Sequence, residues 1–241
     1  MSGKTIKIRS SDHGEFDCYL VTPRSGDRVP AVVLASAVHG VDADIREIAE
    51  EFAGHGFIAA APDLFWRSIP GPLSREDDRT KERSQPRLEK IRTGERDMAD
   101  TLAALGKLTQ FNGRAAAMGF CYGGPYAILG PKRLGYAAGI SCHGTQLLDF
   151  LQDLEGVDAP VCITWGDQDH QAPSQVLDAY RAVPARMKNV EVHIVPNVVH
   201  GYMMRTSPAF HQDTRDFSMT RAVAILDGLR GDVKQAVHQA S

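Results

Sequence analysis

Apolar residues fall in short runs separated by longer stretches with helical spacing. Residues 31–35, 57–61, 115–118, 137–141, 161–164 and 190–195 are such runs. Runs of this length with little polar alternation predict strands buried on both faces. Between two of them, Ile45, Ile48, Ala49 and Phe52 share one helix face, with Asp42 or Asp44 placed to cap it. Met98, Leu102 and Leu105 mark a second helix, and a last one is expected from about residue 215 to 229. Residues 5–8 and 17–21 predict an opening pair of strands, turned at Asp12-His13-Gly14. Strands alternating with helices predict an α/β fold: a mostly parallel central sheet covered by helices on both faces.

Residues 63–86 interrupt the alternation with Phe65, Trp66, scattered prolines and the charged run Arg75-Glu76-Asp77-Asp78-Arg79. A long irregular segment in a small domain is either a binding loop or a solvated surface stretch. No repeat, low-complexity tract or linker divides the chain, so a single domain over residues 1–241 is expected. A core of that size forms without disulfide staples.

Charge narrows the partners. The 27 basic and 30 acidic residues give a net charge of −3, which favours neither nucleic acid nor an anionic membrane. No apolar run approaches the roughly 20 residues that span a bilayer. Met1-Ser2-Gly3-Lys4-Thr5 lacks the apolar core of a signal peptide. The four cysteines, at 18, 121, 142 and 162, form no CxxC pair and have no neighbouring histidines at zinc spacing. Reduced thiols, a cytoplasmic location and no bound metal are the expectation. The sequence does not distinguish a monomer from a homodimer.

The chemistry concentrates at Gly119-Phe120-Cys121-Tyr122-Gly123-Gly124, between the run 115–118 and a helix start at Pro125. Glycines two residues either side of a reactive residue permit the tight strand-to-helix turn known as a nucleophile elbow. Here that turn carries cysteine, and the following helix N-terminus favours a thiolate. The plain alternative is a small buried cysteine in a glycine-rich turn. A thiol nucleophile needs a base, and the base needs an orienting acid. After the strand 161–164 come Asp167 and Asp169; after the strand 190–195 comes His200, followed by Gly201 and Tyr202. The order nucleophile, acid, histidine is that of α/β-hydrolases, and both acids fit it. His13, His55, His193 and His211 sit in turns, strands or helix ends that suit the base less well.

These motifs resemble the dienelactone hydrolases (carboxymethylenebutenolidases) of the α/β-hydrolase superfamily. The cysteine elbow, the loop Gly166-Asp167-Gln168-Asp169-His170 with Pro173, the His200 loop, and Pro62-Asp63-Leu64-Phe65 with Arg67 carry the likeness. The resemblance implies the α/β-hydrolase fold and a catalytic triad of Cys121, Asp169 and His200 that forms an acyl-enzyme on small esters or lactones. It implies backbone N–H groups of Tyr122 and Val38 as the oxyanion donors. It calls for no metal or organic cofactor.

Two departures accompany the likeness. Well-known members carry a glutamate where this chain has Ala37, so Cys121 is expected to pair with His200 at rest. Members that use dienelactone also grip its carboxylate with arginines; Arg205 lies one place off that spacing, and Arg75, Arg79 and Arg83 are alternatives from the loop. Ala37, His39, Trp66, His143 and Tyr202 are expected to line the substrate pocket. A general carboxylesterase or thioesterase is the neighbouring reading. A thiol sensor or binding protein that does not turn over is the reading from another class.

Overall fold

A computed structural model describes residues 3–231; the ends of the expected domain span, 1–2 and 232–241, lie outside the described residues. Strands β1 (Lys4–Arg9) and β2 (Glu15–Val21) pair antiparallel around the His13-Gly14 turn. They extend a sheet completed by β3 (Val29–Ala35), β4 (Ile58–Pro62), β5 (Phe111–Phe120), β6 (Ala138–Cys142), β7 (Val161–Gly166) and β8 (Val190–Val195). The spatial order is β1-β2-β4-β3-β5-β6-β7-β8, and every pair from β4 to β8 is parallel.

The pleat explains why the strands read as unbroken apolar runs. Val32 and Leu34 of β3 pack on one face with Ile45, Ile48 and Phe52 of α1 (Ala43–Gly54) and with Met219 and Leu226 of α6 (Gln212–Gly228). Ala31, Val33 and Ala35 point to the other face. There they join Ile91 and Met98 of α3 (Arg87–Leu105), Ile128 of α4 (Pro125–Leu129) and Tyr180 and Val183 of α5 (Ser174–Arg186). Burial on both faces leaves no position where a polar side chain is tolerated cheaply.

Three local results refine the sequence reading. Asp42 is the α1 cap, its carboxylate accepting the Ile45 N–H at 3.1 Å, whereas Asp44 turns away to Arg75 at 2.7 Å. Strand β5 begins four residues before the apolar run 115–118, because Asn112, Gly113 and Arg114 hide its first turnless stretch from a hydropathy pattern. The segment 63–86 is not wholly irregular: it contains a short helix, α2 (Arg79–Ser84). Among the described residues no helix is long and apolar enough to cross a membrane.

The parallel strands all finish at one sheet edge. The segments after β3, β5, β6, β7 and β8 therefore open side by side, bringing Val38, Cys121, His143, Asp169 and His200 to the same rim.

Candidate active site

Cys121 sits where β5 breaks into a tight turn, with φ of +49°, in the left-handed region that non-glycine residues rarely occupy. Such a conformation costs about 1–3 kcal/mol and persists only where the surroundings enforce it. The enforcement is visible. A Cβ at position 119 would land on the Gly123 carbonyl oxygen, and one at 123 on the Ala35 carbonyl oxygen. The Cys121 carbonyl accepts the N–H groups of Gly124 at 3.0 Å and Thr145 at 2.9 Å. The thiol is free and only partly buried, unlike those of Cys18, Cys142 and Cys162.

The two loops that follow β7 and β8 are tied together before they present their side chains. The Gln168 N–H donates to the Val198 carbonyl at 3.0 Å, and the Asn197 N–H to the Asp167 carboxylate at 2.7 Å. This separates the roles of the two acids. Asp167 braces the β8 loop, whereas Asp169 accepts from His200 Nδ1 at 2.6 Å with its side chain fully buried. The second Asp169 oxygen accepts the Gln171 N–H at 2.8 Å, which fixes the carboxylate plane. Burial alone would lower the His200 pKa. Interactions with Asp169 and with the nearby Cys121 thiol override that and push it up to about 10. His200 thus stands between a buried acid and the elbow thiol.

His143 shares the rim in a different state. It is buried with φ of +41°, and neither ring nitrogen has a hydrogen-bond partner among the described residues. Its ring meets those of His200 at 4.9 Å and Tyr202 at 5.2 Å, both edge-on. Burial and then the His200 charge push its pKa well below the usual value, so it is a neutral imidazole. His39 is also lowered, first by burial and then by Arg75.

The remaining residues singled out from sequence divide. Ala37 and Val38 lie in the turn after β3, where Gly40 N–H closes on the Ala37 carbonyl at 3.0 Å and Arg83 donates to the Val38 carbonyl at 3.1 Å. Trp66 is partly exposed, stacks on Phe16 and donates to Asp97 at 3.1 Å. Tyr202 is fully buried behind His143, its hydroxyl paired with Ser218 at 3.0 Å, so it lines no open pocket. The Tyr202 correction has a plain cause: an aromatic ring with a polar tip is as readily anchored in a core as in a cleft. The candidate anion-binding arginines are engaged too. Arg75 pairs with Asp44, Arg79 with Asp77 and Arg205 with Glu47, while Arg83 donates to main-chain carbonyls.

Arg87, Thr145 and Gln171 border the site without having been flagged by any motif. With Gln85, Gln146 and Tyr180 they line a cavity of about 480 Å³. Arg87 opens a helix after a proline and carries no local signal; only the packing of α3 against the elbow reveals it.

Strand pairing also gathers a second group that spacing did not suggest. Cys162 of β7 lies opposite Glu191 of β8, and with His193 their donor atoms fall within 4.8 Å of one another. Cys162 is 1% exposed and burial pushes its thiol up to about 11. Glu191 is held by Arg221 at 2.5 Å and by His193 at 3.1 Å. The trio has the residue types of a nucleophilic site, or of a metal site, but a protonated thiol and an acid already neutralised by arginine suit neither role.

The pattern of the family described as "Dienelactone hydrolase family" matches residues 16–227. Carboxymethylenebutenolidase 1 of Cupriavidus pinatubonensis is 28% identical over 229 residues, covering 93% of this chain and 97% of its own. The crystal structure of a dienelactone hydrolase-like promiscuous phosphotriesterase from metagenomic libraries superposes with a TM-score of 0.77 at 21% identity, covering 96% of this chain and 100% of its own. That of a dienelactone hydrolase from Anabaena variabilis gives a TM-score of 0.67 at 16% identity, covering 90% and 95%. The two solved structures share this fold.

Proposed function

The chain belongs to the dienelactone hydrolase family and is a hydrolase of ester or lactone bonds, and we propose that it works through a Cys121-His200-Asp169 triad and a thioester intermediate. The observation that carries the reading is His200, bonded through Nδ1 to buried Asp169 at 2.6 Å, with the Cys121 thiol among the groups that raise its pKa. Its raised pKa is what a resting thiolate–imidazolium pair requires.

The steps follow from those charges. The Cys121 sulfur attacks the substrate carbonyl carbon, and the carbonyl π pair moves onto oxygen. Backbone N–H groups of Tyr122 and Val38 receive that oxyanion. When the intermediate collapses, the leaving oxygen takes the proton from His200 Nε2 and departs as an alcohol or enol. The thioester and a neutral imidazole are left. Water then gives a proton to His200 while its oxygen attacks the thioester carbon. Collapse expels the Cys121 thiolate, restores the ion pair and releases the acid. Asp169 keeps its charge throughout and holds the tautomer that leaves Nε2 facing the sulfur.

Ala37 cannot take or give a proton, so no side chain at that position competes with His200 for the thiol. The substrate class supported by the family is a small lactone or ester. A panel of p-nitrophenyl esters, unsaturated γ-lactones and acyl thioesters separates the lactonase from the general esterase. Saturable turnover of at least one lactone is expected; failure to turn over every member of the panel would reject the reading.

A further inference from the structure

Arg87 is a cation without an anionic partner beside the proposed nucleophile. Among the described residues its guanidinium makes no ion pair with a carboxylate. Instead it lies over the Tyr122 ring, 4.8 Å from the centroid, and donates through Nη2 to the Tyr122 and Thr145 carbonyls at 3.4 Å each. The same nitrogen donates to the Thr145 hydroxyl. Tyr122 follows Cys121 directly, and the Thr145 N–H holds the Cys121 carbonyl at 2.9 Å. The guanidinium is thus clamped to both residues that shape the elbow. Its Nε is buried without a partner among the described residues, while the side chain borders the 480 Å³ cavity. A half-buried charge held this way is destabilising unless it compensates a charge elsewhere.

We propose that Arg87 is a second counter-charge of the Cys121 thiolate, acting from the α3 side while the His200 imidazolium acts from the β8 side. The proposal rests on the thiolate reading given above and adds a residue to it. Arg87 acts through Cys121 and is a positioning residue, not one that touches the reacting carbonyl.

The other charges around the elbow do not fill this place. On the β3 turn, His39 is pushed towards neutrality; at the end of β6, His143 is neutral. Arg75 is held by Asp44, and Arg83 by the carbonyls of Val38 and Gly71. Asp169 is engaged by His200, and the phenols of Tyr122 and Tyr126 are kept protonated by burial. Asp149 borders the same cavity as Arg87 but makes no ion pair with it. Burial pulls the Arg87 pKa down, and the charge that most opposes this is the Cys121 sulfur.

The test measures alkylation rate against pH with iodoacetamide, a neutral reagent that Arg87 does not steer, alongside thiolate absorbance. Arg87→Gln should raise the alkylation midpoint by about 0.5–1 pH unit, and Arg87→Lys should restore most of it. Thr145→Val removes the hydroxyl contact of the clamp but keeps the charge, the ring contact and the main-chain carbonyls; it should shift the midpoint the same way by less. This keeps the proposal testable if Arg87→Gln fails to fold. A wild-type midpoint below the ordinary thiol value of about 8.5 that neither Arg87→Gln nor Thr145→Val moves would overturn the role of Arg87 and leave the imidazolium pairing intact. A wild-type midpoint at about 8.5 that Arg87→Gln still raises would support Arg87 and remove the imidazolium pairing instead.

Discussion

Among the described residues, two cysteine–histidine–carboxylate groups share their chemical types and little else. Cys121, His200 and Asp169 meet at the carboxyl rim of the sheet, each on a separate loop; Cys162, His193 and Glu191 meet across two neighbouring strands. In the first, the thiol is partly open and the acid fully buried on the imidazole. In the second, the thiol is buried and pushed up to about 11, and the acid is shared with Arg221. Proximity of three reactive side chains is therefore not a site. What distinguishes a reactive group is which member is desolvated, which is exposed, and whether the acid is free to work on the histidine.

The largest separation between the two groups is expected in the nucleophile position. Cys121→Ala should lower kcat/KM on a p-nitrophenyl ester by at least about 10³-fold. Cys162→Ala should keep it within about twofold and cost about 1 kcal/mol in denaturant unfolding, from the small cavity. The acids come next. Asp169→Asn should reduce kcat by roughly 10²–10⁴-fold by releasing the tautomer, whereas Glu191→Gln should leave kcat unchanged. Loss of activity in Cys162→Ala or Glu191→Gln, with Cys121→Ala active, would invert the comparison.

A smaller effect is expected in the pH dependence. The His200 pKa is raised from 6.5 to about 10 in the folded protein. The folded state therefore binds this proton more tightly than the unfolded one between those values. Its contribution to stability is complete below 6.5 and is lost as pH rises through about 10. Turnover should fall over the same alkaline range as the imidazolium loses its proton. In Asp169→Asn that limb should move towards neutral pH, since one of the bonds raising the pKa is weakened; an unmoved limb would assign it to another group. The smallest expected response is to metal. Added Co²⁺ should produce no sulfur-to-metal charge-transfer absorption from Cys162, because the metal would have to displace Arg221 and deprotonate a buried thiol.

The strands of the sheet were legible because burial on both faces forces unbroken apolar runs, and the elbow because glycine alone fits beside the Gly123 and Ala35 carbonyls. The choice between Asp167 and Asp169 was not legible from spacing alone. It rests on the loop cross-links that turn Asp167 to Asn197 and Asp169 to His200. Tyr202 misled because its polar tip found Ser218 inside the protein. Arg87 and the Cys162 group were silent for the opposite reason. Both are created by contacts between elements distant in the chain, and neither carries a local motif.

The most direct test of the triad is a rapid-quench experiment in which the enzyme meets p-nitrophenyl acetate, is stopped within the first turnover, and is digested for mass spectrometry. An acetyl group on the peptide bearing Cys121, appearing with the first p-nitrophenol and lost as acetate forms, is the predicted result. Turnover that proceeds with Cys121 unmodified at every time point, or with the acetyl group on another residue, would contradict it.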